Sequence, residues 1–223
     1  MILITLIFLA SFTTLGTAIG LNPIAVGCDL NLDYYDRDLG HSHLEPFKYC
    51  DIRCGRNILG MTCCYPSPPD ALNVTFTYYS KDGYSNGRLL DWRRVEDQQY
   101  LSQNRIVFII HGWVTKFNQE FSLEFKDAFL NNRYRNEDVI IINWSAGTKG
   151  AYHQSLANTR TVGKMVGKAI LNWNIAMRTM LVGHSLGAIV THEAATYVKE
   201  NSYDKVSECV GLDPAGKLMS VKH

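Results

Sequence analysis

The sequence lacks an excess of charge of either sign: 22 Lys+Arg stand against 21 Asp+Glu in 223 residues, and like charges nowhere gather into a block. That excludes the basic stripe with which a protein grips a nucleic-acid backbone, and the charged tail of an interaction segment. Internal repeats and low-complexity tracts are also missing, which excludes a solenoid or a long solvated linker. Beyond residue 20 no apolar run is long enough to cross a bilayer. What is present, 46% hydrophobic and 19% charged residues, suffices for one sizeable core and one main domain.

The chain opens with MILITLIFLASFTTLGTAIG, an apolar run from Ile2 to Ala10 that leads to the small residues Gly16, Ala18 and Gly20. A positive n-region is missing, but the pattern predicts a signal peptide over 1–20, because Ser11, Thr13 and Thr14 break the run too early for a membrane anchor. A secreted, extracellular protein can form disulfides. Five of the six cysteines (Cys28, Cys50, Cys54, Cys63, Cys64) fall in a loop-like, Cys-rich extension over 21–70, which the connector PSPPD closes; Cys209 stands apart. CDIRCGRNILGMTCC has no histidine at ligand spacing, which favours bridges over a zinc cluster, and six cysteines allow about 15 pairings. NVT at 73–75 and NWS at 143–145 have the form of N-glycosylation acceptors.

After the connector, NVTFTYYS alternates Val74, Phe76 and Tyr78 with threonines, as a strand with one buried face does, and KDGYSNG supplies turns. Short continuous apolar runs then alternate with helical stripes. RIVFIIHG precedes Phe121, Phe125, Ala128 and Phe129; DVIIINW precedes Val162, Met165, Val166, Ala169, Ile170 and Trp173. RTMLVG precedes Leu186, Ile189, Val190, Ala194, Tyr197 and Val198, and ECVGLDP follows. Strands buried on both faces read as unbroken apolar runs, so the alternation predicts an α/β fold with a largely parallel sheet and helices on both faces.

Reacting groups in such sheets gather beyond the carboxyl ends of strands. Three ends attract attention: HGW at 111–113, GHSLG at 183–187 and LDPAG at 212–216. A bare G-x-S-x-G is a weak signal, but between a buried strand and an amphipathic helix it marks a strained turn that projects a serine hydroxyl. Ser185 is therefore the candidate nucleophile, activated by a base, with the oxyanion held by the backbone N–H of Leu186 and by that of Trp113 in the loop after an earlier strand. Asp213 occupies the place of the carboxylate that orients the base in the order Ser, Asp, His. His111 reads as a hydrogen-bonded loop side chain outside the reaction. No metal or organic cofactor is needed for this route.

IIHGW, INW followed by AYHQSLANTRTVG, LVGHSLGA and GLDPAG together resemble, in order, the pancreatic-type lipases. This α/β-hydrolase group includes triacylglycerol lipases, endothelial and lipoprotein lipases and the phospholipases A1 of vertebrates and arthropod venoms. The resemblance covers roughly 71–216. It implies Ser185 as nucleophile, Asp213 as acid, and Trp113 with Leu186 as oxyanion donors. It also implies a glycerolipid ester at a lipid interface as substrate.

Two departures stand out. Asn143 takes the place of the Asp that family members usually carry before the Trp of INW. The family's catalytic histidine follows the acid at a distance, beyond a lid and a further strand. His223 is only ten residues past Asp213; His41, His43, His153, His184 and His192 also sit where a base is not expected. The expectation is thus a partial α/β-hydrolase domain over 71–223 with its C-terminal strands missing. The alternative is a catalytically inactive, secreted lipid-binding or yolk-like protein of the same fold.

Overall fold

The computed structural model describes residues 66–113, 117–150 and 152–215, with strand backbone at 23–24, 56–57 and 60–61; the side chains of 117–119 and 153 lie outside that description. In chain order the elements are β1 (Pro23–Ile24), β2 (Arg56–Asn57), β3 (Gly60–Met61), α1 (Pro69–Leu72), β4 (Thr75–Tyr79) and β5 (Arg88–Leu90). A 3₁₀ turn (Val95–Tyr100) leads to β6 (Arg105–Ile110), α2 (Phe117–Leu130), β7 (Glu137–Asn143), α3 (Ser145–Thr148) and α4 (Tyr152–Asn172). After a second 3₁₀ turn (Ala176–Arg178) come β8 (Thr179–His184), α5 (Leu186–Asn201) and β9 (Glu208–Leu212).

The apolar runs became strands because each is flanked on both sides by helices. Seven strands form one sheet in the order β1-β9-β8-β6-β7-β4-β5. Strands β9, β8, β6 and β7 are mutually parallel, while β4 joins β7, and β5 joins β4, antiparallel. At the other edge Pro23 pairs with Leu212 and Ile24 with Gly211, antiparallel.

The period of two along the strands sorts the core into two layers. Ile106, Phe108, Ile110, Ile140, Ile142 and Leu181 join one buried cluster with α4 and α5. Val107, Ile109, Val139, Ile141, Met180 and Val182 join the other, against Phe121, Phe125 and Phe129 of α2. Every residue of the α4 stripe, from Val162 to Trp173, is buried as its spacing predicts. On α5 Tyr197 is half-buried, and on α2 Ala128 is exposed. Residues four apart advance about 40° around a helix, so the α2 face centres near Phe125 and Phe129 and Ala128 falls at its margin.

The α/β-hydrolase expectation holds: a mostly parallel sheet with helices on both faces. The loop-like reading of 21–70 is corrected by β1, two residues that gain their strand character only by pairing with β9, and by the short β2 and β3. Two further features also escaped the sequence reading. β5 is a three-residue strand with one buried side chain, too short to show a period. The connector at 66–70 does not stand off as a spacer: Ser67 N–H donates to Asn158 Oδ1 (2.8 Å), Thr161 Oγ1 donates to Ser67 O (3.0 Å), and α1 begins at Pro69.

At the amino ends of the parallel strands a polar network around buried Asp138 fixes the loops. Asp138 accepts from Tyr78 Oη (2.6 Å) and Ser102 Oγ, while the Arg178 guanidinium donates to the carbonyls of Ser102 (2.5 Å) and Asn104 (2.6 Å). Burial and the Asp138 carboxylate push the Tyr78 hydroxyl up to about 12. The opposite, carboxyl ends are thereby left for loops of another kind.

Helices α4 and α5 meet at glycines. A Cβ on Gly163 would lie 2.4 Å from Glu193 Cβ and 3.1 Å from Val190 O, and one on Gly167 would lie 2.8 Å from Tyr197 Cδ1. Gly163→Ala gains helix propensity of about 1 kcal/mol but forces two backbones apart, which typically costs about 1–3 kcal/mol. The expected outcome is net destabilisation, read as a lower urea midpoint at unchanged m-value.

Candidate active site

Parallel register sets the carboxyl rim. Ile110 pairs with Ile142 on one side and Gly183 on the other, and His184 pairs with Leu212. The next positions therefore form a row of Asn143, His111, His184 and Leu212, followed by Trp144, Gly112, Ser185 and Asp213. Strand order brings together four residues from three separate crossovers; the chain leaves β6 towards β7 on one side and returns to β8 on the other, which opens a crevice at this point.

Ser185 sits between β8 and α5 with φ 53° and ψ −119°, a left-handed conformation that costs an L-residue about 1–3 kcal/mol. The neighbours show why the sequence tolerates it. A Cβ on Gly183 would lie 2.1 Å from Gly187 O, and one on Gly187 would lie 2.2 Å from Ile110 O. Glycine is obligatory at both, so α5 starts in contact with the end of β6. A Cβ on Gly112 would lie 2.7 Å from Ser185 Cβ and 3.2 Å from Ser185 Oγ. The HG loop thus runs directly alongside the serine. Ser185 N–H donates to Leu212 O (3.0 Å), which ties the elbow to the end of β9.

Leu186 is the first residue of α5 and fully buried, so its N–H has no partner four residues back in the helix and stands at the positive end of the dipole. Trp113 follows Gly112 and is 39% exposed; its indole N–H donates to Gly150 O (3.3 Å) and its ring meets Tyr152 edge-on at 5.1 Å. Asp213 is exposed, has φ 43°, and lies one residue beyond β9, in reach of the His184 ring electrostatically. Structure therefore brings Ser185, Gly112 and Trp113, Leu186 and Asp213 to one rim.

The histidines divide clearly. His111 is 3% exposed: its Nδ1 lies 2.9 Å from Gly112 O, its Nε2 accepts from Trp144 N–H (3.1 Å), and its carbonyl accepts from Trp144 Nε1 (2.8 Å). The two rings stack at 5.6 Å. Burial pushes its pKa below the ordinary histidine value. His184 packs its ring 5.1 Å from Phe121 on the α2 face, and His192 has Thr196 Oγ1 at 3.4 Å in mid-α5. Expectations for His41, His43, His223 and the His153 side chain fall outside the described residues, as do those for Cys28, Cys50, Cys54, Cys63 and Cys64. Among the described residues no group of His, Cys, Asp and Glu has the arrangement of a metal site.

The Trp144 clamp is the part sequence reasoning missed. INW was read as a strand end, and the pairing of its Trp with His111, 33 residues earlier, left no local signal. Asn143 is exposed and its Oδ1 accepts from Ser145 N–H (3.0 Å) and Oγ (2.6 Å), closing the turn into α3.

The family model described as Lipase matches residues 60–222. The chain belongs to the lipase family. Among the lipase relatives, phospholipase A1 VesT1.02 of Vespa tropica is 33% identical over 135 residues, 54% of this chain and 44% of that protein. Phospholipase A1 2 of Vespa affinis is 37% identical over 128 residues, 51% of this chain and 38% of that protein. Inactive pancreatic lipase-related protein 1 of Mus musculus is 28% identical over 159 residues, 67% and 32% respectively. The matched segment thus spans less than half the length of these relatives. Among the described residues no helix of this lipase-family chain is long and apolar enough to cross a membrane.

Burial lowers the pKa of both His111 and His184. In the unfolded chain both take up protons near pH 6.5, while the folded chain resists until lower pH, so the unfolded state binds more protons in that window. Stability from these groups is present above about pH 6.5 and is lost as pH falls towards their lowered values. Buried Glu137, with its pKa raised, acts in the opposite sense above the ordinary carboxylate value. The difference isolates the histidine: between about pH 7 and pH 5 the melting temperature of His184→Gln falls less than that of the wild type.

Proposed function

We propose that the protein is a secreted carboxylic ester hydrolase acting on glycerolipids, with Ser185 as its nucleophile. One observation carries the reading: Ser185 is held at φ 53° on a strand-to-helix elbow whose glycine neighbours cannot bear a side chain. Such strain persists only where the surroundings over-determine it, and it exposes a hydroxyl above the sheet.

In this mechanism Ser185 Oγ attacks the ester carbonyl while a histidine base, oriented by Asp213 and supplied from outside the described residues, takes its proton. The tetrahedral oxyanion accepts from the N–H groups of Trp113 and Leu186. The base then protonates the departing alcohol, leaving an acyl-serine. Water, deprotonated by the same base, releases the fatty acid and restores the hydroxyl. The wasp relatives named phospholipase A1 support a glycerolipid substrate at a lipid interface.

Secretion rests on the apolar leader over 1–20, with the Cys-rich extension at 21–70 bridged and joined to the edge of the lipase sheet through β1. Of the two acceptor sequences Asn73 suits a glycan, because it is exposed at the left-handed C-cap of α1. Asn143 instead closes the turn beside the candidate site.

A second reading has support of its own. The mouse relative is named inactive, and the described histidines are each engaged away from Ser185. On this second reading the present protein binds lipid without hydrolysing it. The two are separated with the natively secreted protein on phosphatidylcholine vesicles and on emulsified triacylglycerol. The enzyme reading expects fatty-acid release that Ser185→Ala lowers by at least about 10⁴-fold, together with fluorophosphonate labelling of Ser185. Turnover that survives the substitution rejects Ser185; no turnover and no labelling in the wild type leaves the binding protein. Endoglycosidase treatment is expected to lower the mass of the wild type and of Asn143→Gln but not of Asn73→Gln.

A further inference from the structure

Both ring nitrogens of His111 and its carbonyl are engaged. A carbonyl oxygen only accepts, so the 2.9 Å contact from Nδ1 to Gly112 O requires the proton on Nδ1. A backbone N–H only donates, so the contact from Trp144 N–H requires a lone pair on Nε2. The two demands are met together by one species, the neutral Nδ1–H tautomer.

The receiving carbonyl is not an arbitrary one. Gly112 C=O and Trp113 N–H belong to one peptide unit, and the described chain has no cis peptide bonds. In a planar trans unit the two point in opposite directions, so whatever fixes the carbonyl also fixes the N–H. Gly112 lies beside Ser185, where a Cβ would meet Ser185 Cβ at 2.7 Å. The far end of the unit is anchored as well, by the Trp113 indole on Gly150 O. The ring that grips the carbonyl is itself stacked on Trp144, whose indole N–H holds the His111 carbonyl at 2.8 Å.

We propose that His111 is a positioning residue for ester hydrolysis: as the neutral Nδ1–H tautomer it locks the Gly112–Trp113 peptide, so that the Trp113 amide faces the oxyanion formed at Ser185. The proposal rests on the Ser185 reading. Donation into the carbonyl also polarises the peptide and strengthens its N–H as a donor. Protonation undoes the arrangement, because a second N–H on Nε2 would meet the Trp144 N–H. Burial, the largest influence, opposes that step and outweighs the bonds to Gly112 O and the Asn143 side chain, which favour it. Across from β8 stands His184, whose like charge disfavours protonation. From β7 come Asn143 and Trp144, and from α5 Gly187, all uncharged.

The test uses the full secreted protein with 15N-labelled histidine and backbone. At neutral pH the long-range imidazole spectrum is expected to show His111 protonated at Nδ1 alone, and the Trp113 amide resonance to titrate on the acid side with the same midpoint as the His111 ring. His111→Phe keeps the stack on Trp144 and removes the donor; kcat per titrated active site should fall about 10²-fold at unchanged KM, and the Trp113 amide should move. His111→Asn restores a donor at the Nδ1 position and should return kcat to within about threefold of the wild type. An Nε2–H tautomer, or a folded His111→Phe with wild-type kcat, overturns the proposal. Should His111→Phe not fold, the tautomer and the His111→Asn rate decide. Should Ser185→Ala remain active, the serine reading fails instead, and the tautomer and the Trp113 titration still report on His111 independently.

Discussion

The whole arrangement depends on one steric constraint: three pieces of backbone share a space that admits no Cβ. Gly183 faces Gly187 O, Gly187 faces Ile110 O, and Gly112 faces Ser185. Each contact is shorter than a methyl group permits, so α5 starts pressed against the ends of both β6 and β8. This packing bends the chain at Ser185 into positive φ. Because that serine's N–H is satisfied by Leu212 O, the bend also sets where β9 ends and where Asp213 leaves the sheet. Helix start, serine conformation and the position of the acidic residue are thus consequences of the same crowding.

The sheet separates its polar groups by end. At the amino ends buried Asp138 and Tyr78 and half-buried Ser102 and Arg178 satisfy one another and the loop carbonyls, so they secure loops. At the carboxyl ends Asp213 and Trp113 are exposed, above backbone packed too closely to admit a Cβ at Gly112, Gly183 or Gly187. An α/β sheet gains its stability from apolar layers on both faces, here α2 against one and α4 with α5 against the other. The rim can then carry strain that a smaller core could not offset.

Much of the fold was legible because parallel strands buried on both faces leave an unmistakable trace. RIVFIIH, DVIIIN and RTMLVG differ from their flanks in being apolar without interruption, and the stripe from Val162 to Trp173 has a period no strand can use. β5 was not legible, since three residues on an edge have no period, and neither was the docking of Ser67 on α4, which depends on side chains 91 and 94 positions away. Within the candidate site the same line divides what was read from what was missed. Ser185, Leu186 and Trp113 were found through local turn chemistry, and Asp213 through its place after a strand. The Trp144 clamp depends on pairing across the sheet, and nothing near Asn143 in sequence announces it.

Asn143 links these levels. Its row neighbour is His111, and its own oxygen is taken up by the two donors of Ser145. A carboxylate there would carry a full negative charge next to a buried imidazole and would favour the doubly protonated ring. With an amide in its place the full charge is absent; the Asn143 and Gly112 hydrogen bonds still favour the charged ring, but burial outweighs them and holds the pKa below the ordinary value. A neutral ring is the only form that can both donate to Gly112 O and accept from Trp144 N–H. The departure from the usual residue before the tryptophan is therefore compatible with the geometry at Ser185, since an uncharged neighbour leaves the His111 clamp in the state that holds the peptide beside the serine.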